Sequence, residues 1–143
     1  MNQLLIELTD KDDKKAYARS KEIAIASSSS PEYYRYIDDF ASLLAHDSSY
    51  VRTRGFVLCC SQARWDTEGK LQEILPAMLT LLHDPKPTVV RQCLKALKEV
   101  IAFRPELCND IGREIGTIDL SKYKDSMSPL IRKDMDEVLE LLA

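Results

Sequence analysis

The side chains of this sequence that could do chemistry are few, and they recur at regular intervals. Arg52, Arg91 and Arg132 each follow a β-branched residue, Val51, Val90 and Ile131, with 39 and 41 residues between successive arginines. A row of guanidinium groups at a fixed interval either pairs with carboxylates or contacts phosphates. Asp47 and Asp84 stand on the segments just ahead of Arg52 and Arg91. A ladder of Asp–Arg bonds within or between repeated units is therefore the expected use, and a phosphate-contacting row is the alternative. His46 and His83 immediately precede those two aspartates. A cation near a helix C-terminus is favourable, so helix capping is expected of them. Two His-Asp pairs one repeat apart offer too few ligands for a metal. Cys59, Cys60, Cys93 and Cys108 fit no zinc-ligand spacing and read as small core residues in a reducing compartment. No Ser/His/Asp arrangement and no glycine-rich phosphate loop is visible, so neither a cofactor nor a catalytic set is expected.

Helices must position these groups. Val90, Leu94, Leu97 and Ile101 lie at i, i+4, i+7 and i+11, one face of an α-helix, and the offset of 41 residues carries them onto Ile131, Met135, Val138 and Leu142. Carried backwards, the same positions are Val51, Gly55, Leu58 and Gln62, a poorer copy in which Gly55 and Gln62 break the pattern. A helix with one apolar face cannot bury it alone, and stacking it on the next copy does so.

Punctuation marks the units. Leu4, Leu5 and Leu8 form one short apolar face. The acidic turn Asp10 to Asp13 suits the start of a helix over Lys14 to Ala26. Ser30-Pro31-Glu32 predicts a capped helix from Pro31 to about Ala45. Ser48 or Ser49 caps the next helix, through about Ala63, and Asp66 caps Thr67 to Leu82, with Pro76 bending it. Pro85 and Pro87 precede a helix ending near Phe103. Arg104-Pro105-Glu106 opens another through about Ile115. Ser128-Pro129 starts the last.

A helix ending in Leu-Leu, one or two further residues and Asp, then a short turn, Val-Arg and an apolar helix occurs at Leu43 to Arg52 (Leu-Leu-Ala-His-Asp-Ser-Ser-Tyr-Val-Arg) and, as Leu-Leu-x-Asp, at Leu81 to Arg91. This resembles the HEAT repeat and its small bacterial HEAT-like (armadillo-type) relatives. Ser30 to Ile101 carries the resemblance most, the C-terminus less, and the residues before Ser27 least. It implies an all-α, right-handed α–α superhelix of about four helix pairs in a single domain, with approximate repeats 1–29, 30–65, 66–103 and 104–143. It also implies that the second helix of each pair lines a concave side. Following each second helix through its arginine gives the candidate partner-binding groove Arg52, Phe56, Arg91, Lys95, Lys98 and Arg132. Tyr36, Tyr50 and Trp65 are aromatics that the core pattern does not need, and they are candidate rim anchors. The resemblance implies a non-catalytic scaffold that binds a protein or peptide. One alternative is DNA binding, in the manner of HEAT-like glycosylases of alkylated DNA, with Arg52, Arg54, Arg91, Lys95 and Lys98 supplying charge. Another is an accessory role in iron–sulfur cluster assembly.

Composition bounds these readings. A chain of 143 residues suits one domain and buries roughly 68% of its unfolded surface. The net charge of −3 and pI near 5.4 lower the nucleic-acid reading. The residues from Arg104 onward hold nine acidic and six basic side chains and so carry this whole excess. The N-terminus lacks the basic start and apolar run of a signal peptide, and no stretch reaches the ~18 apolar residues of a membrane helix. A cytoplasmic location without membrane contact is the expectation.

Overall fold

Residues 2–143 are described by a computed structural model in which every regular element is a helix. The α-helices are α1 (Gln3–Leu8), α2 (Asp13–Ser27), α3 (Ile37–Ser42), α4 (Ser49–Ser61), α5 (Lys70–Leu79), α6 (Pro87–Phe103), α7 (Cys108–Ile115) and α8 (Ser128–Leu142). Short 3-10 turns extend several of them, at Tyr34–Tyr36, Leu43–Ala45, Ala63–Trp65, Thr80–His83, Pro105–Leu107 and Leu120–Lys122. No helix among the described residues is long and apolar enough to cross a membrane.

Local chemistry explains most helix starts. The Asp12 carboxylate accepts from the amides of Lys14 and Lys15, and Ser48 Oγ accepts from Val51 N, which satisfies amides that the helix itself cannot pair. Asp66 also caps, accepting from the amides of Lys70 and Leu71 at 2.8 and 3.0 Å. The helix it starts begins at Lys70 and not at Thr67, because Gly69 turns the chain through φ +71°, a conformation glycine adopts without strain. Two other expected starts shift: the α-helices after Ser30-Pro31 and Arg104-Pro105 begin only at Ile37 and Cys108, each following a 3-10 turn, while α8 begins at Ser128 as expected. Ser128 does not cap α8: its hydroxyl donates to the carbonyls of Leu120 and Tyr123 and pins the preceding irregular segment.

Packing follows the predicted stripes. α2 lies against α4, α4 against α6, and α6 against α8, while α3 packs on α4 and α7 on α8. Val90, Leu94 and Leu97 are buried, as are Ile131, Met135 and Val138 one unit later, and the fourth position of each stripe, Ile101 and Leu142, is half-buried at the core's edge. The two residues that break the stripe in α4 have specific reasons to be there. A Cβ on Gly55 would stand 2.8 Å from both Leu43 Cβ and the Phe40 carbonyl oxygen, so the glycine lets α3 and α4 approach closely. Gln62 is buried and donates through Nε2 to Ser27 Oγ at 2.9 Å, joining the ends of α2 and α4. At the other end of the chain, Leu142 lies over Gly112, so α8 folds back on α7.

Overpacking a tight core site costs typically 1–3 kcal/mol. The Gly55→Ala variant is therefore expected to lose about 2 kcal/mol of stability in urea-unfolding curves with an unchanged slope. A midpoint equal to wild type would show that α3 and α4 can separate freely.

Candidate functional site

The arginine row is largely engaged inside the fold. Arg52 donates from Nε and Nη2 to one carboxylate oxygen of Asp84, at 3.1 and 2.9 Å, and from Nη1 to the carbonyls of His46 and Asp47. Asp84 sits on the turn before the next second helix, so this bond links α4 to α6. The Asp47 side chain, expected in the ladder, takes no part; its carbonyl does. Arg91 repeats the device one step on, donating from Nε to Asp134 of α8 at 2.7 Å, a bond that raises the arginine's pKa further. Lys98 pairs with Glu137 of α8 at 3.2 Å. Arg132 and Lys95 are exposed, and neither has an ion-pair partner among the described residues.

The expected groove therefore needs correction. Phe56 is fully buried and belongs to the core. Arg52, Arg91 and Lys98 point to the neighbouring unit. Successive residues of an α-helix are about 100° apart, so the face through Tyr50 lies about 200° from that through Arg52. The open face of α4 is the former.

That face does line a groove. It has a volume of about 630 Å³ and runs across α2, α4 and α6. α2 contributes Lys14, Tyr17 and Lys21; α4 contributes Tyr50, Thr53 and Arg54; α6 contributes Thr88 and Gln92, and Ala24, Val57 and Val89 add apolar surface. Tyr17 and Tyr50 are 56% and 65% exposed, so two aromatic rings present apolar faces to solvent. Arg54 is 5% exposed and donates to the Leu8 carbonyl at 3.0 Å and to Asp13 Oδ1 at 2.8 Å. It anchors α1 and α2 to α4 and neutralises Asp13. Lys14 and Lys21 have no carboxylate partner among the described residues, and the Lys21 ammonium lies 5.5 Å from the centre of the Tyr17 ring. Of the three expected rim aromatics, Tyr50 lines this groove. The sequence signal for the missed α2 wall was available, since Lys14, Tyr17 and Lys21 share one helix face at i, i+3 and i+7.

Tyr36 and Trp65 lie elsewhere, in a shallow cleft of about 850 Å³ along the loop edge. Their polar groups are satisfied within the protein. Trp65 Nε1 donates to the Ser27 carbonyl at 2.6 Å, and Tyr36 Oη accepts from Arg35 at 2.8 Å. The Tyr34 hydroxyl donates to Asp66 at 2.6 Å, and burial together with that bond pushes its pKa up. The histidines divide. His46 Nδ1 accepts from the Ser48 amide at 3.0 Å, while His83 Nε2 meets Glu114 Oε1 at 2.6 Å between α5 and α7. Burial pushes the Cys59 thiol up to about 12 and raises Cys60 and Cys93 as well, so these sulfurs stay protonated and unreactive at neutral pH.

No family model, curated protein or solved structure matches this chain.

Two measurements test these placements. Arg52→Ala is expected to cost about 2 kcal/mol in urea unfolding, because it leaves the nearly buried Asp84 carboxylate without its charged donor, whereas Arg132→Ala leaves the midpoint within error. Equal effects would deny the Arg52–Asp84 bond its role. With a thiol reagent at pH 8, the native protein is expected to react rapidly at Cys108 alone, and the urea-unfolded chain at all 4 cysteines. Rapid modification of Cys59, Cys60 or Cys93 in the native state would contradict their burial.

Proposed function

We propose that this chain is a non-catalytic HEAT-like α-solenoid, a right-handed stack of helix pairs that holds a peptide segment of a partner protein in the groove across α2, α4 and α6. The serial packing of α2, α4, α6 and α8 supports the solenoid reading. α6 and α8 each bury one apolar stripe against a neighbouring helix, as repeat stacking requires. The groove itself carries the functional reading. Two tyrosines more than half exposed flank an apolar strip within a concave surface of about 630 Å³. Tyrosine supplies large contact area at low entropic cost and is enriched among the residues that dominate binding energy. The groove walls add hydroxyl, carboxamide and ammonium groups that can orient a bound backbone.

Selection of a random-peptide display library on the wild-type protein tests this. A family of enriched peptides is expected, and the Tyr17→Ala/Tyr50→Ala variant should bind them at least about thirtyfold more weakly, because two interface tyrosines are each worth about 1 kcal/mol or more. Both side chains are exposed, so thermal unfolding of the variant should match wild type. No enrichment, or enriched peptides that bind the double variant equally well, would remove the groove from the binding role.

A further inference from the structure

We infer that the groove is selective for an acidic peptide segment, one in which carboxylates flank an apolar side chain. This rests on the peptide-groove reading above and adds the chemistry of the ligand. The chain as a whole carries −3, yet the residues lining the groove include three cations, Lys14, Lys21 and Arg54, against one anion, Asp13. The anion is already bonded to Arg54 at 2.8 Å. The local field is therefore positive in an otherwise acidic molecule, and Lys14 and Lys21 supply it. Lys95, exposed on α6 one turn beyond Gln92, adds a further cation near the opposite wall.

The spacing gives the pattern of the ligand. Lys14, Tyr17 and Lys21 follow one another along a single face of α2, so an aromatic ring stands between two ammonium groups. Seven residues of helix separate the lysine Cα atoms by about 10.5 Å. In an extended segment, carboxylates two to four residues apart span about 7–14 Å, which matches that separation within the reach of flexible lysine side chains. An apolar side chain between them then falls against Tyr17, with Tyr50 across the groove. A nucleic-acid strand fits less well, because such ligands engage about 6–10 phosphates and two unpaired lysines cannot match that number.

The test uses fluorescence anisotropy with the full chain and four labelled probes. Three are decapeptides of glutamate with a central leucine and phenylalanine, the same peptide with glutamine for glutamate, and the same with lysine. The fourth is a single-stranded oligothymidylate. The glutamate peptide is expected to bind saturably, at least tenfold more tightly than the glutamine peptide, with affinity falling as salt rises. The Lys14→Glu/Lys21→Glu variant should lose the glutamate peptide and gain the lysine peptide. That exchange of preference is something a folding defect cannot produce. Equal binding of glutamate and glutamine peptides, unchanged binding by the double-lysine variant, or no binding of the glutamate peptide each overturns the acidic selectivity. In those cases the peptide-groove reading still stands if display yields neutral or basic peptides that depend on Tyr17 and Tyr50, and falls with it if display yields none. Tighter binding of the oligonucleotide than of the glutamate peptide also overturns the proposal, in favour of nucleic acid.

Discussion

The carboxylate of Asp84 is the point on which the arrangement of the helix pairs depends. One of its oxygens takes two N–H groups of Arg52 from α4, and the other takes the amide of Lys86 at the start of α6. The carbonyl of the same residue accepts the Tyr123 hydroxyl at 2.7 Å, from the segment that leads into α8. Groups from α4, the start of α6 and the segment before α8 thus meet at one residue. A nearly buried carboxylate is tolerated only when its lone pairs are filled, so Arg52 and the Lys86 amide must both be in place, and Tyr123 fills the backbone carbonyl beside it. The apolar stripes supply the driving force, but a stripe can slide along its neighbour. A carboxylate with fixed donors cannot, and that is what sets the register between units.

A second set of bonds closes the ends of the helices. Arg64 and Trp65 donate to the carbonyls of Ser28 and Ser27 at the end of α2, and Arg104 donates to the Ala63 carbonyl just beyond the end of α4. Lys122 donates to the His83 carbonyl at the turn after α5. Unpaired carbonyls and the negative end of the helix dipole make these positions good acceptors for cationic donors. The consequence for function is a division of labour. Much of the arginine and aromatic chemistry along the loop edge holds units together. The open side of α2, α4 and α6 instead presents tyrosines and lysines to solvent, and Arg54 lies just beneath, joining α1 and α2 to α4.

Arg54 also shows why the groove keeps a net positive charge. Its guanidinium is buried and would be costly there without partners, but Asp13 and the Leu8 carbonyl satisfy it. The one acidic side chain lining the groove is thereby occupied. Lys14 and Lys21 need no such partner because they are exposed, and they retain their field toward whatever enters.

The sequence by itself determined the helical class and the identity of the buried stripes in α6 and α8. Apolar spacing of 3.6 residues can be satisfied only by a helix with one covered face. It also placed the cap at Asp66 and narrowed two others to the Asp10–Asp13 turn and the Ser48-Ser49 pair, because a capping side chain bonds amides within a few residues of itself. Only the tertiary structure decided what the polar faces do. Periodicity says which residues share a face but not which neighbour covers it. An Asp–Arg ladder was expected, but only the fold gave its pairing: Arg52 takes Asp84 from 32 residues on and Arg91 takes Asp134 from 43 residues on, instead of the aspartates just ahead of each. Phe56 read as part of a surface stripe, although α4 is covered on more than one side and Tyr50 is its one exposed side chain, with Thr53 lining the groove floor. Gly55 and Gln62 looked like flaws in a repeat, and become necessary once the Phe40 carbonyl leaves no room for a Cβ on one and a partner hydroxyl stands beside the other. Burial on two sides of a helix is a property of the stack, so no single stretch of sequence contains it.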